Sequence, residues 1–124
     1  MDISKGRKGL GAWGEGYAKD FLVKLGYNII ESNYRSRTGE IDIIAEDKGC
    51  LVFVEVKTRR TRSFGGPEES FTLQKEARLA RLADEYIQKK HLQPLDWRLD
   101  LVTVEFVEGK RTPDIQLIRN ATNS

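Results

Sequence analysis

Cysteine, histidine and proline are almost missing from this chain, which has one Cys, one His and three Pro among 124 residues. With Cys50 as the sole thiol, no disulfide can form within the chain, which fits a reducing compartment. One thiol and one imidazole, His91, also exclude a Cys/His zinc site built by a single copy. Any metal would have to be held by oxygen ligands. No apolar run approaches the ~18 residues that span a bilayer. The opening stretch MDISKGRKGLGAWGEG has basic residues with no apolar core behind them, so no signal peptide is expected and the cytoplasm is the expected compartment. A large excess of one charge is missing too: the formal net charge is +2, so the molecule as a whole is not a polycation.

What remains is a composition of 39% hydrophobic and 32% charged residues, that of a well-solvated globular domain. The length suits one domain over residues 1–124, with flexible ends expected at about 1–8 and 120–124. Charge is distributed unevenly. The run KTRRTR at 57–62 carries Lys57, Arg59, Arg60 and Arg62 with no acid among them. It reads either as a solvated basic loop or as a patch that faces phosphate.

Leu10, Trp13, Tyr17, Phe21 and Leu25 recur at helical spacing, and Gly26 follows where a helix commonly stops. Tyr27–Ile30, running on towards Tyr34, reads as a strand, followed by a polar turn at Arg35–Gly39. Glu40–Glu46 alternates as a second strand, Lys48-Gly49 signals a hairpin, and Leu51–Lys57 is a third strand. Ser63–Pro67 reads as loop. A long helix is expected from about Thr72 to Lys90, with Leu73, Ala77, Ala80, Ala83 and Ile87 inward and Leu79, Leu82 and Tyr86 widening the stripe. Gln93-Pro94 ends it, and His91 is expected as a C-terminal cap. Arg98–Val107 and Ile115–Ile118 complete the strands, with a turn at 108–110. The order α-β-β-β-α-β-β predicts an α/β sandwich. It would have a mixed sheet of four to five strands flanked by helices, with an antiparallel meander and then a parallel crossover.

Strand alternation puts Glu40, Asp42 and Ile44 on one face, opposite Ile41 and Ile43. It puts Leu51, Phe53, Glu55 and Lys57 on one face of the next strand, opposite Val52, Val54 and Val56. The hairpin can make Asp42 and Glu55 neighbours. Two close carboxylates repel, and a hard cation such as Mg²⁺ or Mn²⁺ relieves that repulsion. Lys57 adds a cation beside them, a set suited in kind to phosphodiester hydrolysis. The same residues could also be cross-strand ion pairs on a wet sheet face, each worth little.

Gly39-Glu40-Ile41-Asp42-Ile43-Ile44 followed by Val54-Glu55-Val56-Lys57 resembles the signature of the PD-(D/E)xK nuclease superfamily. The match is closer to the YraN family of predicted endonucleases, similar to archaeal Holliday junction resolvases. It extends through Gly14-Glu15, Thr58-Arg59, Phe64-Gly65, Pro67, Lys75, Arg78-Leu79 and Arg98-x-Asp100. Ile41 stands where the superfamily name has proline. The resemblance implies a restriction-endonuclease-like sandwich with Mg²⁺ or Mn²⁺ as cofactor. Asp42, Glu55 and the Val56 carbonyl would be the metal ligands, Lys57 the catalytic lysine, and Glu15 and Glu40 outer or second-metal acids. Arg59, Arg60, Arg62, Lys75 and Arg78 would hold nucleic acid, DNA rather than RNA. Arg98 and Asp100 would support the site as an ion pair, and family analogy adds a homodimer. The expected function is metal-dependent endonucleolytic cleavage of DNA, branched or damaged DNA included. A nucleic-acid-binding module with little cleavage and a protein-interaction domain are the alternatives.

Overall fold

A computed structural model describes residues 7–61, 73–93 and 96–119. The elements are α1 (Arg7–Lys24), β1 (Asn28–Arg35), β2 (Glu40–Asp47), β3 (Cys50–Thr61), α2 (Leu73–Lys89), β4 (Asp96–Val107) and β5 (Asp114–Ile118). They form the expected α/β sandwich: one five-stranded sheet in the order β1-β2-β3-β4-β5, with a helix on each face. All neighbours are antiparallel except β3 and β4, the parallel pair joined through α2. Among the described residues no helix is long and apolar enough to cross a membrane. The expected loop at 63–67, the helix start at Thr72, Pro94, Arg62, and residues 1–6 and 120–124 lie outside the described residues.

Local chemistry explains the ends of the elements. Gly26 takes φ 100° after α1, and the Tyr27 N–H reaches back to the Leu22 carbonyl, a left-handed helix stop. His91 does the same after α2 with φ 55°, and the Leu92 N–H bonds the Ile87 carbonyl. The expected cap is therefore made by the backbone of His91. Lys48 and Gly49, both at positive φ, turn the β2–β3 hairpin.

Both helices bury a different stripe from the one expected. In α1 the inward residues are Gly14, Ala18 and Leu22, while Leu25 is exposed and Trp13 and Tyr17 are half-buried. The cause is a close approach: a β-carbon on Gly14 would overlap the Thr58 side chain of β3. Small residues face the sheet, and the aromatics flank it, with Trp13 stacked on Phe106 at 4.8 Å between ring centres. In α2 the buried residues are Leu79, Leu82, Ala83 and Tyr86, while Leu73 and Ala77 are exposed. The presumed edge of that stripe is its centre, because Tyr86 packs edge-on against Tyr34 and Phe53.

The core has two layers. Under α2 lie Tyr34, Ile41, Ile44, Leu51, Phe53 and Leu99; under α1 lie Tyr27, Ile43, Ala45, Val52, Val54, Val102 and Val104. Ile41 shares a layer with Ile44, although alternation puts them on opposite faces. That departure marks a break in β2.

At the hairpin end a polar network ties the sheet to the α1–β1 link. Asp100, wholly buried, accepts from Arg98 Nε at 2.9 Å and from the Tyr27 hydroxyl at 2.9 Å. Arg98 also donates to Asp47 at 2.9 Å and to the Tyr27 oxygen at 2.8 Å. Arg98→Met would take from the buried Asp100 the guanidinium that donates to it at 2.9 Å. It is expected to lower the unfolding free energy by roughly 3–5 kcal/mol. Urea denaturation reads this as a lower midpoint at unchanged slope. A loss below about 1 kcal/mol would mean that the network is not what holds this end of the sheet.

Candidate functional site at the β2–β3 fork

The ladder between β2 and β3 runs from Asp47–Cys50 to Ile43–Val54 and stops there. Continued by one step, the same register pairs Asp42 with Glu55, and by two, Ile41 with Val56. The strands fork instead. The Val56 N–H, which would bond the Ile41 carbonyl in an unbroken ladder, donates to Asp42 Oδ2 at 2.8 Å. A side-chain carboxylate thus replaces a backbone acceptor. Freed from the ladder, the start of β2 no longer keeps strict alternation, which accounts for Ile41 sharing a layer with Ile44.

The opposite side of Asp42 is irregular too. Asn33 lies between the Ser32–Ile43 and Tyr34–Ile41 pairs of β1 and β2, opposite Asp42, with φ 57°. Its side-chain amide donates to Glu15 Oε2 of α1 at 3.0 Å, and Lys19 lies 3.7 Å from the same oxygen. Asp42 is therefore flanked by a forked ladder on one side and a left-handed residue on the other.

Charge concentrates at the fork. Burial first, then the field of Glu55, pushes Asp42 from the usual 3.8 up to about 7. The Val56 N–H opposes that rise, while Glu40 and Glu15 add to it. Glu55 pairs with Lys75 Nζ of α2 at 2.8 Å, with both side chains mostly buried. Glu40 meets Arg35 at 3.5 Å on an exposed edge, a weak contact. Lys57, two residues beyond Glu55, is half-buried and forms no ion pair with a described residue.

The expected basic residues scatter. The run at 57–61 is not a loop: it continues β3, paired with β4 from Lys57–Thr103 to Thr61–Val107. Arg59 Nε bonds Glu105 at 2.7 Å, and Glu105 is buried. Arg60 and Arg78 are exposed, and Arg78 passes close to Gly39 in the β1–β2 turn. Lys75 reaches Glu55 rather than open solvent. Arg98 and Asp100 belong to the network at the hairpin end, on the α1 face, and do not join the acids.

Three groups were not foreseen. Ser36 and Thr38 donate their hydroxyls to Glu85 of α2 at 3.1 and 2.5 Å, fastening the turn that leads into β2. Asn33 holds Glu15. Thr58 Oγ1 is buried under Gly14 with no hydrogen-bond partner. The Ser-x-Thr turn was visible in sequence, but nothing there pointed to an acid forty-seven positions on.

Could the fork hold a metal? Among the described residues no group of three or more His, Cys, Asp or Glu side chains is close enough to form a cage. The oxygen donors are two carboxylates and one backbone carbonyl. A strand residue points its N–H and C=O to the same edge, so the Val56 carbonyl faces the fork with the N–H that Asp42 accepts. Mg²⁺ retains several waters and takes one or two carboxylates, so this donor set fits it.

The family model for uncharacterised protein family UPF0102 matches residues 14–104, a span that contains the whole fork. A UPF0102 protein of Trichlorobacter lovleyi is 43% identical over 120 residues, 96% of this chain and 94% of that protein. One from Symbiobacterium thermophilum is 52% identical over 96 residues, covering 77% and 81%. One from Alkaliphilus metalliredigens is 46% identical over 114 residues, covering 92% and 97%.

A carboxyl that binds its proton more tightly in the folded than in the unfolded chain favours folding as pH falls. For Asp42 the folded advantage grows from about pH 7 down towards 3.8, and its penalty is full above 7. Asp42→Asn keeps an acceptor for the Val56 N–H and removes the charge. It is expected to raise the melting temperature at pH 8 and leave it little changed at pH 4. Thermal melts across that range check this; equal effects at both pH values would show that Asp42 is not held in a repulsive field.

Proposed function

The chain belongs to the UPF0102 family, and we propose that its β2–β3 fork is a metal-dependent site for hydrolysing phosphodiester bonds in DNA. The observation that carries this reading is the fork itself. Asp42 and Glu55 meet across an opened ladder, with Lys57, which forms no ion pair with a described residue, two residues beyond Glu55. Neither cross-strand pairing nor packing accounts for a half-buried acid raised to about 7 beside a second acid.

When bound, Mg²⁺ or Mn²⁺ would polarise a phosphoryl oxygen and lower the pKa of a coordinated water. Asp42 and Glu55 would hold that ion from adjacent strands, with the Val56 carbonyl as a third oxygen. The Val56 N–H fixes Asp42 in place, so little reorganisation remains at the moment of reaction. Lys57, on the strand that carries Glu55, would orient the attacking water or meet charge building on the phosphate. Arg60 and Arg78 are exposed for backbone phosphate. Glu15, fixed by Asn33 and Lys19, would serve as an outer acid. The choice of DNA, and of branched or damaged forms, rests on the resemblance to resolvase-like nucleases.

A second reading has its own support. The Lys75–Glu55 pair and the lack of a three-acid cage among the described residues suit a nucleic-acid-binding module without cleavage.

Nicking of plasmid and junction DNA with Mn²⁺ or Mg²⁺ separates the two. Wild type is expected to nick. Lys57→Ala should lose at least about 100-fold in rate while still binding metal, and Asp42→Asn should lose both. Wild-type protein that binds DNA in a salt-dependent way but cleaves no form with either metal would leave the binding module.

A further inference from the structure

Lys75 lies in the first turn of α2, where a cation is opposed by the helix dipole. It is nonetheless held there, 2.8 Å from Glu55 Oε2, with side-chain exposures of 22% and 13%. Pairing with Glu55 offsets the dipole penalty and neutralises one acid of the fork. Lys57, the nearer lysine in sequence, does not take that place. The fork is thus served by two lysines in different states, one on an acid and one without an ion pair among the described residues.

The ammonium on Oε2 takes up one of that oxygen's lone pairs and neutralises much of the charge that Glu55 would offer a divalent ion. The two cations compete for one field. We propose that Lys75 is an internal counter-ion of the fork: it holds Glu55 while the site is free of metal and is displaced when a divalent cation binds. This rests on the metal-site reading above and adds a regulatory step to it. Lysine has a long flexible stem, so the displaced ammonium can swing from Glu55 without moving the helix. A nucleic-acid phosphate is the partner that the proposed substrate supplies. Because coupling between ligands is reciprocal, metal should then tighten DNA binding, and DNA should tighten metal binding by the same factor.

Calorimetric titration of the full chain with Mn²⁺ tests this without reference to activity. Lys75→Met is expected to bind Mn²⁺ about tenfold more tightly than wild type, as removal of a competing cation requires. Lys75→Gln should agree, and it guards against a folding defect in the first variant. Lys89→Met, which removes a cation from the far end of the same helix, should change affinity by less than about twofold if the effect is local. A short phosphorothioate duplex should raise the Mn²⁺ affinity of wild type and leave that of Lys75→Met nearly unchanged. Affinity in both Lys75 variants no higher than in Lys89→Met would overturn the counter-ion role. The underlying site fails in a different way: Asp42→Asn would then bind Mn²⁺ as well as wild type does. Loss of binding in Asp42→Asn without a gain in the Lys75 variants sinks only the present inference.

Discussion

The hydrogen bond from the Val56 N–H to the Asp42 carboxylate is the constraint on which the rest of the site depends. It ends the β2–β3 ladder at Ile43–Val54, three residue pairs short of the start of β2, and keeps the Val56 N–H satisfied while doing so. A strand N–H left without an acceptor in a buried sheet would be costly. Asp42 supplies that acceptor and is itself immobilised. The hairpin register sets Glu55 opposite Asp42, and opening the ladder frees the Val56 carbonyl edge and leaves Lys57 on a strand stretch paired only with β4. One side chain thus sets both the shape and the charge of the fork.

The two helices approach this fork for different reasons. α1 comes close because Gly14 and Ala18 present almost no side chain to the sheet, and the contact with Thr58 sets its height. That height delivers Glu15 to Asn33, a residue whose left-handed backbone suits asparagine better than most. α2 is held by larger groups. Its Leu82 and Tyr86 are buried, and its Glu85 gathers the hydroxyls of Ser36 and Thr38. The same helix therefore fastens the turn before β2 and sends Lys75 to Glu55. Acids from β2 and β3 are framed by a small-residue helix on one face and an anchored helix on the other.

Much of this was legible from the sequence, and the failures have a common cause. Element order, the hairpin at Lys48-Gly49 and the crossover from β3 to β4 follow from local periodicity and turn chemistry, and they appear as expected. The neighbourhood of Asp42 and Glu55 follows from the hairpin register alone. What local pattern cannot express is how near one element comes to another. The inward stripe of α1 was misplaced because Trp13 and Tyr17 look more buried than Gly14, although only glycine fits beneath Thr58. The KTRRT segment reads as a loop by composition, yet parallel pairing with β4 extends it as strand. Arg59 looks like a phosphate ligand until Glu105, forty-six positions on, is brought under it. Lys75 looks like a nucleic-acid contact until Glu55 is placed beside it. Ion pairs between distant positions decide which basic residues remain at the surface, and no periodicity encodes them.

The fork also runs against what folding alone would favour. An apolar residue at position 42 would let Ile41 pair with Val56, extend the ladder and remove a half-buried acid from the field of Glu55. The backbone pairing and the charge term would both improve. Instead the chain opens its central hairpin, places Asn33 at positive φ on one side, and half-buries an acid raised to about 7. Conflicts between local and global preference are uncommon in a well-packed sheet, and they collect where a ligand supplies the missing stabilisation. A divalent cation between Asp42 and Glu55 would remove the repulsion between the acids. With Lys75 able to hold Glu55 in its absence, the fork stays tolerable to the fold without becoming indifferent to the cation. On the proposed reading, the raised Asp42 and the engaged Lys75 are two sides of one arrangement, a fork that tolerates its acids while a bound cation would settle them.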